Sequence, residues 1–304
     1  MLRVELHCHN TFSNHRFGSK EPPYDCGVSI SEQLLGAQDA RLDAIFVTNH
    51  NTLDGYKQIL EYQDCHEKFA KMGIYPAEEA TTDSGAHVLT YGIRESIPTG
   101  LEIDEITDLV HSQGGVVSAP HPFSIIDALR EDAIKCDMIE VFNSNNVDLL
   151  SNAKAAEFAI NNNMIQVSGS DSHVASTVGR CINVIDSENT LDDVLSAMKQ
   201  GRIEISQTGY AGRDEIIENL RYKINVSREY MAEYVAENYA HTRWLFDLLL
   251  RLYDADCRSP LWSLTYRVAL YFLKRISYQI NYKGANMGSL GRRDLGTMIR
   301  LALR

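Results

Sequence analysis

The chain opens MLRVELHCHNTFSNH, which places His7, His9 and His15 within nine residues. Further histidines and carboxylates stand in short motifs: Thr48-Asn49-His50, Ala77-Glu78-Glu79-Ala80, His87 in HVLTYG, Pro120-His121-Pro122, and Gly169-Ser170-Asp171-Ser172-His173. Neutral imidazole and carboxylate are good ligands for zinc, and for manganese or iron where the carboxylate share is larger. His-x-His on a strand puts both side chains on one face, because side chains alternate with period two. Asp171-x-His173 does the same, or nearly so, in a turn. The nine groups His7, His9, His15, His50, one of Glu78 and Glu79, His87, His121, Asp171 and His173 are too many for one ion. They suit two or three divalent ions (Zn, Mn or Fe), with a shared carboxylate bridging ions about 3.5–4 Å apart, the spacing of hydrolytic two-metal sites. Clustered dications lower the pKa of bound water toward neutrality, which suits hydrolysis without a nucleophilic Ser or Cys. Cys8 alternates to the opposite face from its two histidine neighbours and reads as a small core residue.

The elements that must carry these groups are short apolar runs alternating with amphipathic stretches. RVELH, DAIFVTNH, GIYPAEEAT, HVLTYGI, VVSAP, MIEVFNS, MIQVSGS, CINVI and IEIS read as strands. Ser29-x-x-Glu32 is a capping box opening a helix to about residue 40. Helical spacing continues over 54–72, 101–115, 124–134, 147–163 and 190–200, with Gly73 as a stop. VVSAP and MIQVS lack polar alternation, as strands covered on both faces do. The alternation predicts βα units and a mostly parallel sheet, closed or nearly closed as a barrel. Nearly every candidate ligand falls at or just past the carboxyl end of a strand, the face where such barrels build active sites. The three remaining histidines, His66, His111 and His241, fall in expected helices. Past residue 210 no strand is convincing; 213–256 and 260–282 read as helices. The expected division is a barrel over 1–210 and a helical region over 211–304.

Composition is that of a globular protein, 44% hydrophobic and 23% charged. The net charge of −12 is uneven: residues 1–201 carry 13 basic and 30 acidic side chains, and residues 202–304 carry 16 and 11. The acidic part suits bound cations and argues against an extended nucleic-acid surface. The basic tail can contact an anionic surface or the acidic barrel. Six scattered cysteines without a CxxC pair, no signal peptide and no apolar run long enough to span a bilayer read as a cytoplasmic protein without a transmembrane segment.

HCH at 7–9, TNH at 48–50, Glu79, His87 in HVLTYG, PHP at 120–122 and GSDSH at 169–173 occur in an order and spacing that resembles the PHP (polymerase and histidinol phosphatase) family, along residues 1 to about 206. The resemblance implies a distorted seven-stranded (β/α) barrel of PHP type with a trinuclear metal site for phosphoester hydrolysis. By that likeness His7, His9, Glu79 and Asp171 hold one metal. Glu79, preferred over Glu78, bridges to a second with His87 and His121, and His15, His50 and His173 hold a third. The family usually shows T-D-H where this chain has Thr48-Asn49-His50, and many members carry an Asp where this chain has His15. The reading is a metal-dependent phosphoesterase acting on a small phosphorylated substrate, a phosphomonoester or nucleotide phosphate. Its rivals are a non-catalytic metal-binding scaffold and an exonuclease acting on short nucleic-acid ends. Asp171, Glu79 and Arg180 are the expected catalytic residues, with Arg180 clamping phosphate. Arg16 and Lys20 are weaker clamp candidates, and Glu140 and Asn143 are expected to support the ligands.

Overall fold

The computed structural model describes residues 1–15, 25–238, 240–285 and 301–302. Each apolar run folds as a strand: β1 (Leu2–Cys8), β2 (Ala44–Val47), β3 (Gly73–Thr81), β4 (His87–Tyr91), β5 (Val116–Ala119), β6 (Met138–Asn143), β7 (Ile165–Gly169), β8 (Ile182–Ile185) and β9 (Ile203–Gln207). They form one sheet in the order β7-β6-β5-β4-β3-β2-β1-β8-β9. The strand count is therefore nine, not seven, among the described residues. The sheet is also not mostly parallel: β1–β2, β2–β3, β5–β6 and β6–β7 are parallel, while β3–β4, β4–β5, β1–β8 and β8–β9 are antiparallel. Residues 82–86 alone join β3 to β4, and a link that short cannot make a parallel crossover.

The sheet curls until β7 meets β1. The Asp171 N–H donates to the His7 carbonyl at 2.7 Å, and the His9 N–H donates to the Ser172 carbonyl at 3.3 Å. The Ser168 N–H donates to Asn183 Oδ1 on β8 at 2.9 Å. The result is a nearly closed barrel. Its interior is filled by Leu6, Phe46, Tyr75, Leu89, Tyr91, Met138 and Val167, all buried, together with Val194, Leu195 and Met198 of α5 (Leu191–Lys199). Each such side chain contributes about 1.5–3 kcal/mol on burial. Outside the barrel, α1 (Ile30–Asp39) and α2 (Asp54–Asp64) cover one flank and α3 (Ile103–Ser112) another. The capping box opens α1: Glu32 N–H donates to Ser29 Oγ at 3.3 Å and Ser29 N–H to Glu32 Oε2 at 2.9 Å.

Helix α2 is shorter than its spacing suggests, giving way to a 3-10 turn at Glu67–Phe69, and 124–134 yields only a 3-10 stretch, Arg130–Lys135. Helix α4 is Leu150–Asn162. The single helix expected over 213–256 is two, α6 (Arg213–Asn238) and α7 (Arg243–Ala255), followed by α8 (Leu261–Lys283). Helix α8 is anchored to the barrel by polar contacts: Ser277 Oγ donates to Asp148 Oδ1 at 2.7 Å and Asn281 Nδ2 to the Phe123 carbonyl at 3.0 Å. No described helix is long and apolar enough to cross a membrane.

Candidate metal centre

One rim of the barrel gathers the candidate ligands. His7 lies near the end of β1 and His9 just beyond it; His50 follows β2, Glu79 lies in β3, His121 follows β5, and Asp171 and His173 follow β7. His87 opens β4 instead of ending it. Because β4 runs antiparallel and pairs His87 with Thr81, its first residue reaches the same rim. Two β-bulges aim the side chains. Between Glu5 and Cys8 the β1 chain uses three steps where β2 uses two, so both Leu6 and His7 can turn inward. A similar shift between Glu140 and Phe142 loosens the end of β6. His121 and Asp171 have φ of 29° and 48°, a left-handed backbone uncommon outside glycine and frequent at functional sites.

Glu79 stands at the centre. Its Oε1 is 3.0 Å from His87 Nδ1 and 3.0 Å from His121 Nε2. Its Oε2 is 3.2 Å from His9 Nε2, 3.4 Å from His7 Nε2 and 3.3 Å from His50 Nδ1. Asp171 Oδ1 is 3.3 Å from His9 Nε2, 3.6 Å from His7 Nε2 and 3.4 Å from His173 Nδ1. A third carboxylate, Asp25, places Oδ1 3.2 Å from His173 Nε2 and Oδ2 3.6 Å from His50 Nε2. Ligand atoms of three sets lie within 4.8 Å of one another: His7, His9 and Glu79; His50, Glu79 and His87; and His9, Asp25, His50 and His173.

Neighbours hold the imidazoles in register. Glu140 Oε1 sits 3.0 Å from His7 Nδ1, and Ser13 Oγ 3.0 Å from His9 Nδ1, leaving each Nε2 facing the centre. Glu140 Oε2 also accepts from the His121 N–H at 2.9 Å and from Asn143 Nδ2 at 2.8 Å. Glu140 and Asn143 thus contact the candidate ligands His7, His121 and Asp171. Glu5, fully buried beneath the cluster, accepts from the backbone of His7, Ser170 and Gly179, and burial pushes its carboxyl up to about 7.

The electrostatics call for cations. Burial disfavours charge on Glu79, yet His87, His50 and His7 outweigh it and hold the carboxyl well below its ordinary range. Burial also opposes charge on His173, but Asp25 and Asp171 lift it to about 9. His7 is likewise raised, against burial, by Asp171, Glu140 and Glu79. Burial drives His50 down to about 3. The attraction between imidazole and carboxylate thus works against burial at His7, Glu79 and His173. The Nε2 atoms of His7 and His9 face each other at 3.2 Å, and Asp25 Oδ2 is buried without a hydrogen-bond partner. Converging nitrogens and an unsatisfied carboxylate oxygen fit metal ions in both donor type and arrangement.

Asp25 was not legible in the sequence: it is a single acid in the loop stretch EPPYDC, with no spacing relation to a histidine. It now stands beside His50 and His173, where the resemblance put His15. His15 ends the 3-10 turn Thr11–His15, and its side chain lies outside the described residues, as do Arg16 and Lys20. Glu78 points away from Glu79, its Oε1 accepting from the Ile97 N–H at 2.6 Å. Asn49 is buried and structural: Oδ1 accepts from the Asn10 N–H and from Ser13 Oγ, both at 2.9 Å, and Nδ2 donates to Asn10 Oδ1 at 2.9 Å. Cys8 faces the outer core, with burial raising its thiol well above the ordinary value. Arg180 does not serve as drawn. Its guanidinium donates to Glu215, to the Tyr210 carbonyl at 3.0 Å and to the Ser176 carbonyl at 3.1 Å, so its charge is taken up by the start of α6. His66, His111 and His241 lie outside the cluster, on or beside helical turns.

A family model described as PHP-associated (PHP_C) matches residues 150–203, the stretch from α4 to the first residue of β9 that carries Asp171 and His173. Over that stretch the chain is similar to the PHP family. Two uncharacterized proteins of Methanocaldococcus jannaschii are similar to this chain. One is 32% identical over 125 residues, 38% of this chain and 52% of the relative. The other is 28% identical over 155 residues, 50% of this chain and 87% of the relative. The match thus spans about half the length of the first. Among solved structures, PsfC from Pseudomonas syringae PB-5123 shares the fold, with a TM-score of 0.51 and 18% identity over 74% of this chain and 99% of that one.

Proposed function

We propose that this chain belongs to the PHP family and is a metal-dependent hydrolase of phosphoesters, acting on a small phosphomonoester or nucleotide phosphate. The observation that carries the reading is Glu79, whose two oxygens lie between imidazoles from four strand ends at 3.0–3.4 Å. A carboxylate so placed is suited to bridge ions. In this reading His7, His9, Glu79 and Asp171 hold one ion, and Glu79, His87 and His121 a second. His50, His173 and Asp25 hold a third, with His15 as a further ligand. The helical region from 211 onward is a separate element appended to the barrel.

When bound, divalent ions would supply water of lowered pKa and positive charge for the phosphate oxygens. The chain's own contribution is positional. Glu140 and Ser13 fix the tautomers of His7 and His9, Asp171 holds His173, and the buried rim excludes bulk water from all but its mouth.

Elemental analysis of the purified protein tests this together with turnover of p-nitrophenyl phosphate and bis(p-nitrophenyl) phosphate in added Mn or Zn. The expected result is two to three ions per chain, with turnover falling at least about 100-fold in His9→Ala and Asp171→Ala. Less than one bound ion and no hydrolysis under either metal would overturn it. Full metal content without turnover would favour a metal-binding scaffold, and diester turnover alone would favour action on nucleic-acid ends.

A further inference from the structure

The segment from His121 to Arg130, which follows β5, has three residues with positive φ: His121 at 29°, Asp127 at 56° and Arg130 at 57°. His121 also precedes a proline, which narrows the backbone open to it. A backbone so disposed persists only where its surroundings hold it. Here the carbonyls of residues 121–124 are each held. The His121 carbonyl accepts from the Ser124 N–H and the Pro122 carbonyl from the Arg130 N–H, both at 2.9 Å. The Phe123 carbonyl accepts from Asn281 Nδ2 of α8 at 3.0 Å, and the Ser124 carbonyl from Arg130 Nη2. Arg130 in turn donates through Nη1 to Asn281 Oδ1 at 2.6 Å. Asn281 thus serves the loop both directly and through Arg130. Further along, the Asp127 carbonyl accepts from the His87 N–H at 3.1 Å. One loop therefore holds the backbone of both imidazole residues that lie 3.0 Å from Glu79 Oε1.

We propose that Asn281 is a positioning residue for the ion at Glu79, His87 and His121, so that α8 governs the occupancy of that one site; this rests on the metal-dependent reading above. The amide is itself held in one orientation. Its Nδ2 also donates to Ser277 Oγ at 3.1 Å, and Ser277 Oγ donates to Asp148 Oδ1. Without Asn281, the Phe123 carbonyl keeps Arg130 Nη1 at 3.4 Å, and the part-buried Arg130 loses its side-chain acceptor. A buried donor left without an acceptor is costly, and the strained backbone at His121 then has less to oppose it. His50, His173 and Asp25 stand on other segments, so the effect falls on one ion and not on all.

The test uses the full-length chain with Asn281→Leu, which is close to the amide in size, in the wild-type and His121→Ala backgrounds. Metal content is counted by elemental analysis, and the affinity for Mn or Zn is titrated against a competing chelator. Asn281→Leu is expected to raise the Kd of one ion about tenfold or more, as loss of an orienting partner does, while the other ions keep theirs. In His121→Ala, which already lacks that site, Asn281→Leu adds less than about twofold. Arg130→Gln removes the other half of the contact and gives the same single-ion loss. Unchanged affinity in Asn281→Leu overturns the proposal. So does an equal weakening of every ion, which marks a general loosening of the fold, and so does a tenfold further loss in the His121→Ala background. The metal reading fails on a different observation, a wild-type chain holding less than one ion, and the role of Asn281 falls with it. Ions bound without turnover of either ester remove the phosphoesterase reading alone, and the metal titration still decides on Asn281.

Discussion

Position 169 tolerates no side chain. A Cβ there would lie 1.8 Å from Glu140 Oε1 and 2.6 Å from His7 Cβ. Glycine lets Glu140 reach His7 Nδ1 and so aims the opposite nitrogen at the centre. Gly169→Ala is expected to displace Glu140 and weaken metal binding about 10–100-fold, the usual effect of losing an orienting partner; titration against a competing chelator measures it. Asp25→Asn removes a charge facing His50 and His173, so elemental analysis should find one ion fewer per chain while the ion at His7 and His9 stays. Unchanged stoichiometry would take Asp25 out of the ligand set. The contacts of Asn49 account for an amide where the T-D-H pattern it resembles has Asp. Its amide nitrogen donates to Asn10 Oδ1, where a carboxylate would set oxygen against oxygen. Asn49→Asp is expected to destabilise the fold by about 1–3 kcal/mol, read from urea unfolding.

At the scale of elements, the ligands meet because strands end together. The antiparallel β4 brings its first residue to the rim where parallel strands bring their last, and the bulge in β1 adds His7 to a face already holding Leu6. Helix α6 is fastened by a pair that depends on pH. Burial disfavours charge on Glu215, but the Gly212 N–H, Arg180 and Ser176 outweigh it and lower its pKa from the ordinary value. A depressed carboxyl contributes stability that is present above the unfolded value, roughly pH 4.3, and is lost as pH falls through the lowered folded value. Acidification below that window should therefore loosen α6, followed by the fluorescence of Trp244 and Trp262 on the neighbouring helices. Glu215→Gln should remove the acid step at a cost of about 1 kcal/mol, since the pair is partly solvated. An acid step of the same size in that variant would show that Glu215 is not its source.

For the whole molecule, the acidic barrel residues and basic tail are complementary, and α6 brings Lys223 to the carboxylate Asp25. Ions that bind only the folded chain stabilise it by mass action, about 2.7 kcal/mol at 100 times Kd. Chelation should therefore lower Tm by about 5 °C or more for a chain of this size, and an unchanged Tm would speak against tight ions at this rim. All nine strands were legible: most are buried on both faces and so must be written in apolar residues, while the exposed β9 alternates apolar and polar residues. Most of the candidate ligands were legible too, since an imidazole at a strand end is costly to bury without a role and seven of the ten histidines stood outside helices. The direction of strands was harder to read: β4 is a strand by composition, but its antiparallel course follows from the length of the link before it. The sequence by itself determined most of the histidines and carboxylates that could carry the chemistry, and that strands would hold them. Tertiary structure alone decided that Asp25 joins them, that Arg180 is spent on Glu215 and that Lys223 reaches the rim. Those three depend on contacts between residues 25 to 198 positions apart, and local periodicity holds no record of such distances.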